Sequence, residues 1–112
     1  MKYHSKKATC ASGHTHDSKK EATRCNELHL MQRAGRISEL KIQVPFELIP
    51  PLKFKTMRNE RPCKYVADFT YVVDGVQIIE DTKGYKTPDY IIKRKLMKQR
   101  YCEDGEVRFI ET

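Results

Sequence analysis

The 112-residue sequence has no apolar run approaching the roughly 20 residues that a membrane-spanning helix needs, so no membrane partner is expected. Its start, MKYHSKKATC, lacks the apolar centre of a secretory leader, and a cytoplasmic setting is expected. The four cysteines, Cys10, Cys25, Cys63 and Cys102, include no C-x-x-C pair. In a reducing compartment they are expected as thiols. Negative charge is also in short supply: 15 Asp and Glu stand against 22 Lys and Arg, for a net charge of +7. That balance favours an anionic partner, of which nucleic acid is the commonest for a basic protein. Charge alone leaves a merely solvated basic surface equally open. No internal repeat is visible. At this length, with 38% hydrophobic residues, the chain can form one domain around its own core.

Residues 1–16 are polar and basic, with a turn signal at Ser12-Gly13, and read as an arm or a weak hairpin. Residues 17–112 form the expected domain. Ser18 with Glu21 has the S-x-x-E form of a capping box, which predicts a helix running to Gly35. The stretch ISELKIQVPFEL alternates as a strand, and Pro45 within it predicts an edge or a bulge. A short strand is expected around Leu52 to Lys55. Lys64 to Val73 and Val76 to Lys83 predict two strands, joined by a tight turn at Asp74-Gly75. Thr87-Pro88 predicts the start of a second helix, DYIIKRKLMKQRY, with Ile91, Ile92, Leu96 and Tyr101 on its buried side. EVRFIE closes as a strand. The expected class is α/β in the broad sense, an α+β mixed sheet with helices packed on it.

The central hairpin, ADFTYVVDGVQIIEDTKG, carries acids inside both apolar strands. A two-residue turn at Asp74-Gly75 sets Val73 against Val76 and therefore brings Asp68 opposite Asp81. Directly opposed carboxylates repel, so something must compensate. A hard divalent cation does so naturally, and Lys83, on the same face as Asp81, adds positive charge beside it. A plain solvated face with a Lys83 ion pair is the other reading, and a one-residue slip would present Glu80 instead. On the first helix, Glu21, Cys25, Leu28 and Gln32 fall on one stripe, with Ala22, His29 and Met31 flanking it. Glu21 is thus either the capping acid, a third acid near the hairpin pair, or both. Gln43 and Tyr85 lie near by strand and loop position. Cys10, His14, His16 and Cys25 have too irregular a spacing to argue for zinc.

Glu21 on a first helix, Asp68 on a strand and Asp81-Thr82-Lys83 on the next resemble the PD-(D/E)XK nuclease superfamily. That superfamily has a restriction-endonuclease-like core of order αβββαβ. More narrowly, DSKKEATRCNEL followed by YVADFTYVVDGVQIIEDTKGYKT looks like a small phage-encoded group of nuclease-like proteins. Some of that group are taken to be Holliday-junction resolvases. Ala67 stands where the superfamily name has proline, and Asp81 where glutamate is commoner.

The resemblance implies a metal-dependent DNA endonuclease using Mg²⁺ or Mn²⁺, selective for branched DNA, in the cytoplasm of a bacterial host. Asp68, Asp81 and the Thr82 backbone carbonyl would hold the ion. Lys83 would orient the attacking water, and Glu21 would hold a second ion or a bound water. The alternative is a protein of the same fold that binds nucleic acid without cutting it, in phage replication, recombination or packaging. Lys86, Lys93, Arg94, Lys95, Lys98 and Arg100 on and before the second helix would contact phosphates, with Lys19, Lys20 and Arg24 extending the basic surface. Two symmetric cuts in a junction would require a homodimer, for which Ile49, Leu52 and Phe54 offer apolar surface.

Overall fold

The computed structural model describes residues 8–9, 13, 15–16, 18–82 and 86–112. In the amino-terminal arm, β1 (Ala8–Thr9) and β2 (Thr15–His16) pair antiparallel. The domain then runs through α1 (Lys19–Arg33), β3 (Ser38–Ile49), β4 (Cys63–Val73), β5 (Val76–Asp81), α2 (Pro88–Tyr101) and β6 (Val107–Glu111). From α1 onward the order is αβββαβ, the order that the resemblance implies. The sheet is mixed, in the order β3-β4-β5-β6: the first three strands are antiparallel, and β5 and β6 are parallel. A parallel pair needs a crossover connection, and α2 supplies it. No helix among the described residues is long and apolar enough to cross a membrane.

Local chemistry accounts for the boundaries. Ser18 caps α1, its Oγ accepting the Glu21 N–H at 3.1 Å. Gly35, at φ 77°, ends it: the Gly35 N–H bonds to the Gln32 carbonyl and the Arg36 N–H to that of Met31, the paired bonds of a Schellman motif. Thr87 caps α2 by accepting the Tyr90 N–H at 3.2 Å, with Pro88 in the first turn. The β4–β5 turn has positive φ at both Asp74 (49°) and Gly75 (80°), the mirror-image turn that matches strand twist. Val73 faces Val76, so the hairpin register is the unslipped one.

Two elements differ from the sequence expectation. The Leu52 to Lys55 strand is only an isolated bridge, Leu52 with Glu60, in a loop rich in proline and charge. In α2 the residue at the centre of the buried side is Met97, fully enclosed, whereas Ile92 is 60% exposed. A helix face of about a hundred degrees can hold either residue but not both, and the sheet selects Met97.

The core divides in two. Ala22, Cys25 and Leu28 of α1 pack with Phe69, Tyr71 and Ile78. Met97 of α2 packs with Tyr65, Ala67, Ile79 and Leu48. Adjacent residues Ile78 and Ile79 belong to different clusters, so the helices cover opposite faces of the sheet. Each large side chain enclosed in this way, such as Phe69, Leu28 or Ile79, contributes on the order of 1.5–3 kcal/mol by leaving water.

Strict alternation fails at one level of the sheet. Tyr65, Ala67, Phe69 and Tyr71 are all odd-numbered positions of β4, yet the first two face α2 and the last two face α1. β3 does the same: Leu40 and Ile42 pack on the α1 side, Phe46 and Leu48 on the α2 side. Both strands change face where Gln43 lies across from Asp68, between the pairs Ile42–Phe69 and Val44–Ala67. Gln43 has φ 53°, a left-handed conformation rare inside a strand. The Asp68 level is therefore the point about which the sheet turns.

Candidate functional site

The β4–β5 ladder stops at Phe69–Glu80, one level short of Asp68 and Asp81. Beyond it the two acids do not face each other as a simple rung. Asp68 Oδ2 accepts the Thr82 backbone N–H at 2.8 Å and the Thr82 hydroxyl at 3.0 Å. The Asp81 carboxylate accepts the Tyr65 hydroxyl. Both acids are buried, Asp68 at 6% and Asp81 at 0% exposure. Like charges on one level of a sheet repel. Here each carboxylate has its own donor, which offsets part of the cost of burying it.

Tyr65 was not among the sequence candidates. Burial first, and then its bond to Asp81, push its phenol far above the ordinary range, so it remains a hydrogen-bond donor at every physiological pH. Its signal in the sequence is faint: a tyrosine at a core-facing strand position needs a partner for its hydroxyl.

Glu21 is 4% exposed on the first turn of α1. Its Oε2 accepts the side-chain amide of Gln43 at 3.0 Å. Gln43 lies across from Asp68, so it links α1 to the level of the hairpin acids. Lys83 and Tyr85 lie outside the described residues, as do Cys10 and His14. Cys25 is buried, with the His29 ring 3.5 Å away, and Cys25, Cys63 and Cys102 are in no disulfide. Among the described residues no three His, Cys, Asp or Glu side chains form a ready metal cage.

Glu80, next to Asp81, points to the other face and is fully buried. Arg24 grips it with two hydrogen bonds, Nε at 2.6 Å and Nη2 at 3.0 Å. Tyr71 and Thr112 donate their hydroxyls to it at 2.6 and 3.0 Å. The hydrogen bond to Glu80 raises the Arg24 pKa further, and burial with the Glu80 bond pushes the Tyr71 phenol up to about 12. Arg24 was expected to face DNA. Its guanidinium is instead engaged by Glu80, which the sequence offered only as the slipped alternative to Asp81; a planar fork matches a carboxylate and is cheaper to desolvate than an ammonium.

The remaining cations divide similarly. Arg94 donates to both oxygens of Glu111 at 3.0 Å, and Tyr90 donates to the same group at 2.6 Å. Burial raises the Glu111 pKa, but these bonds outweigh it and hold the group below the usual carboxylate range. Lys86 stands 3.9 Å from Glu111. Arg100 donates to the Leu48 carbonyl at 3.1 Å, and Lys98 Nζ lies 5.3 Å from the centre of the Phe109 ring. Lys19, Lys20 and Lys95 are exposed.

Two clefts, one beside α2 and one beside α1 on the opposite face of the sheet, are each lined in part by a residue bonded to one of the acids. One, of about 380 Å³, is lined by Lys64, Tyr65, Val66, Thr87, Tyr90 and Lys93, with Asp89 also on its wall. It adjoins the acids through Tyr65. The other, of about 390 Å³, is lined by Lys20, Thr23, Arg24, Glu27, Thr82 and Thr112, and reaches Asp68 through Thr82. Lysines thus line both clefts.

The donor set suits one kind of ion. Asp68 and Asp81 offer carboxylate oxygens only, and Mg²⁺ is characteristically held by one or two carboxylates with retained waters. Zinc sites are built chiefly on cysteine and histidine, which this level of the sheet does not supply. No curated protein and no solved structure matches the chain. A family model does match, over residues 1–110, and the chain belongs to that family, DUF1064, described as a protein of unknown function.

Proposed function

We propose that this protein is a metal-dependent DNA endonuclease of the PD-(D/E)XK type, acting on branched DNA. The observation that carries the reading is the end of the β4–β5 ladder. Two buried acids on neighbouring strands sit where pairing stops, and a residue bonded to each of them lines a cleft that also carries a lysine. Asp68, Asp81 and the Thr82 carbonyl would hold Mg²⁺ or Mn²⁺, and Glu21 would hold a second ion or a bound water. The ion would supply a nucleophile at neutral pH and neutralise charge at phosphorus. Lys83 would orient the attacking water.

The chain's own residues set up that chemistry. Thr82 fixes the Asp68 carboxylate, and Tyr65 fixes that of Asp81. Lys20 and Lys93 stand at the clefts where a phosphate backbone would approach. Such contacts position DNA without reading its sequence. Selectivity for four-way junctions would require a homodimer delivering two cuts.

A second reading keeps the fold and the DNA affinity but not the cutting. It is favoured by the lack of a three-ligand cluster among the described residues. The deciding experiment incubates the protein with four-way and linear DNA in Mg²⁺, in Mn²⁺ and in EDTA. Metal-dependent nicking that is stronger on the junction supports the nuclease. Tight, metal-independent binding with intact DNA supports the second reading.

A further inference from the structure

Gln43 carries a backbone conformation that its position does not favour. It lies within a strand, where φ is ordinarily near −140° to −120°, yet its φ is 53°. A non-glycine residue with positive φ persists only where its surroundings hold it there. Gln43 is exposed, so burial of its own side chain is not what holds it. Its amide reaches a buried carboxylate on another element, Glu21 of α1, at 3.0 Å. It does so from the position across from Asp68, where β3 and β4 both exchange their core-facing sides.

Glu21 occupies the third position of its helix, where a capping acid ordinarily folds back toward the residue that caps the helix. The Ser18 half of that motif is made, through the Glu21 N–H. The Glu21 carboxylate also meets the sheet, where the Gln43 amide donates to it. We infer that Gln43 is a positioning residue: its left-handed backbone aims the side-chain amide at Glu21 and holds that carboxylate at the Asp68 level rather than at its own helix terminus. The inference rests on the nuclease reading for the role of Glu21 as an acid serving a divalent ion.

The test uses Gln43→Asn and Gln43→Gly in the full chain. Both residues accept positive φ more readily than glutamine, and neither reaches Glu21, asparagine being one methylene short. Three quantities are measured: thermal midpoint, Mn²⁺ affinity by calorimetry, and nicking of a four-way junction. The expected result for Gln43→Asn is a small fall in midpoint, the lost bond to a buried carboxylate being offset in part by easier positive φ. Mn²⁺ affinity and nicking are each expected to fall about 10–100-fold, as for other residues that orient a metal ligand. A purely structural role would lower the midpoint while leaving the Mn²⁺ affinity of the folded protein unchanged.

Wild-type levels of affinity and nicking in both variants overturn the positioning role and leave the nuclease reading standing. If the wild type binds Mn²⁺ without nicking, while the variants bind it more weakly, the nuclease reading fails and the positioning role stands. A wild type that neither binds Mn²⁺ nor nicks overturns both.

Discussion

The Asp68 carboxylate takes over from the backbone ladder at the point where β4 and β5 part. One level past the last pair, Phe69 with Glu80, its Oδ2 accepts both the backbone N–H and the hydroxyl of Thr82. The acid therefore has a structural role of its own. Asp68→Ala leaves a buried Thr82 N–H without its acceptor, a loss of about 1–3 kcal/mol. Asp68→Asn retains an acceptor oxygen and is expected to lose less, on the order of 1 kcal/mol. Urea unfolding of the two variants checks the order. Both are expected to lose metal-dependent nicking, so only Asp68→Asn separates chemistry from folding.

The Arg24–Glu80 pair should show the asymmetry of a buried salt bridge. Arg24→Met strands a carboxylate with 0% side-chain exposure, and a loss of about 3–5 kcal/mol is expected, softened by the hydroxyls of Tyr71 and Thr112. The double variant Arg24→Met/Glu80→Leu should recover much of that loss, because the charge left behind is the main cost. Thermal melts of the two single variants and the double variant complete the cycle. A double variant no more stable than Arg24→Met contradicts this account.

Three tyrosines predict alkaline instability. Burial and a carboxylate partner raise the phenols of Tyr65, Tyr71 and Tyr90 above 10.0, their ordinary value. A raised folded-state pKa gives stability that is fully present below 10.0 and is lost as pH climbs toward the folded value, because only the unfolded chain releases the proton. Stability should therefore fall steadily above pH 10.0. Tyr65→Phe should lower stability at neutral pH by about 1.5–3 kcal/mol, the worth of a bond to a charged group, and flatten the alkaline decline. Urea midpoints measured from pH 8 to 11 check both.

Salt dependence should separate the lysines from the arginines. Lys19, Lys20 and Lys95 are exposed, whereas Arg24 and Arg94 are held by Glu80 and Glu111. Each Lys→Gln change that removes a phosphate contact should reduce the slope of log affinity against log salt by about 0.9 on duplex DNA. Arg24→Gln should leave that slope unchanged while destabilising the fold.

The sequence made much of this architecture legible, for local reasons. Ser18 and Thr87 as caps, Gly35 as a stop and Asp74-Gly75 as a turn each act over a few residues, and each appears where its chemistry requires. The burial of Glu21, Cys25 and Leu28 follows from helical spacing, whereas Gln32, on the same stripe, is exposed. What stayed hidden depends on contacts between distant segments. The change of face at Gln43 and Asp68 breaks the alternation from which strand faces are read. Glu80 looked like a slipped alternative to Asp81, and only the α1 face reveals Arg24 as its partner, 56 positions away. The choice of Met97 over Ile92 is likewise made by the sheet.

The central claim is that Asp81, beside Asp68, serves a divalent ion that cuts DNA. The most direct measurement compares wild type with Asp81→Asn, each confirmed as folded by its thermal melt, for nicking of a four-way junction in Mn²⁺ and in EDTA. The account predicts Mn²⁺-dependent nicking by the wild type that leaves 5′-phosphate ends, and none by the folded variant. Equal nicking by both proteins, or none by the wild type in either metal, would contradict it.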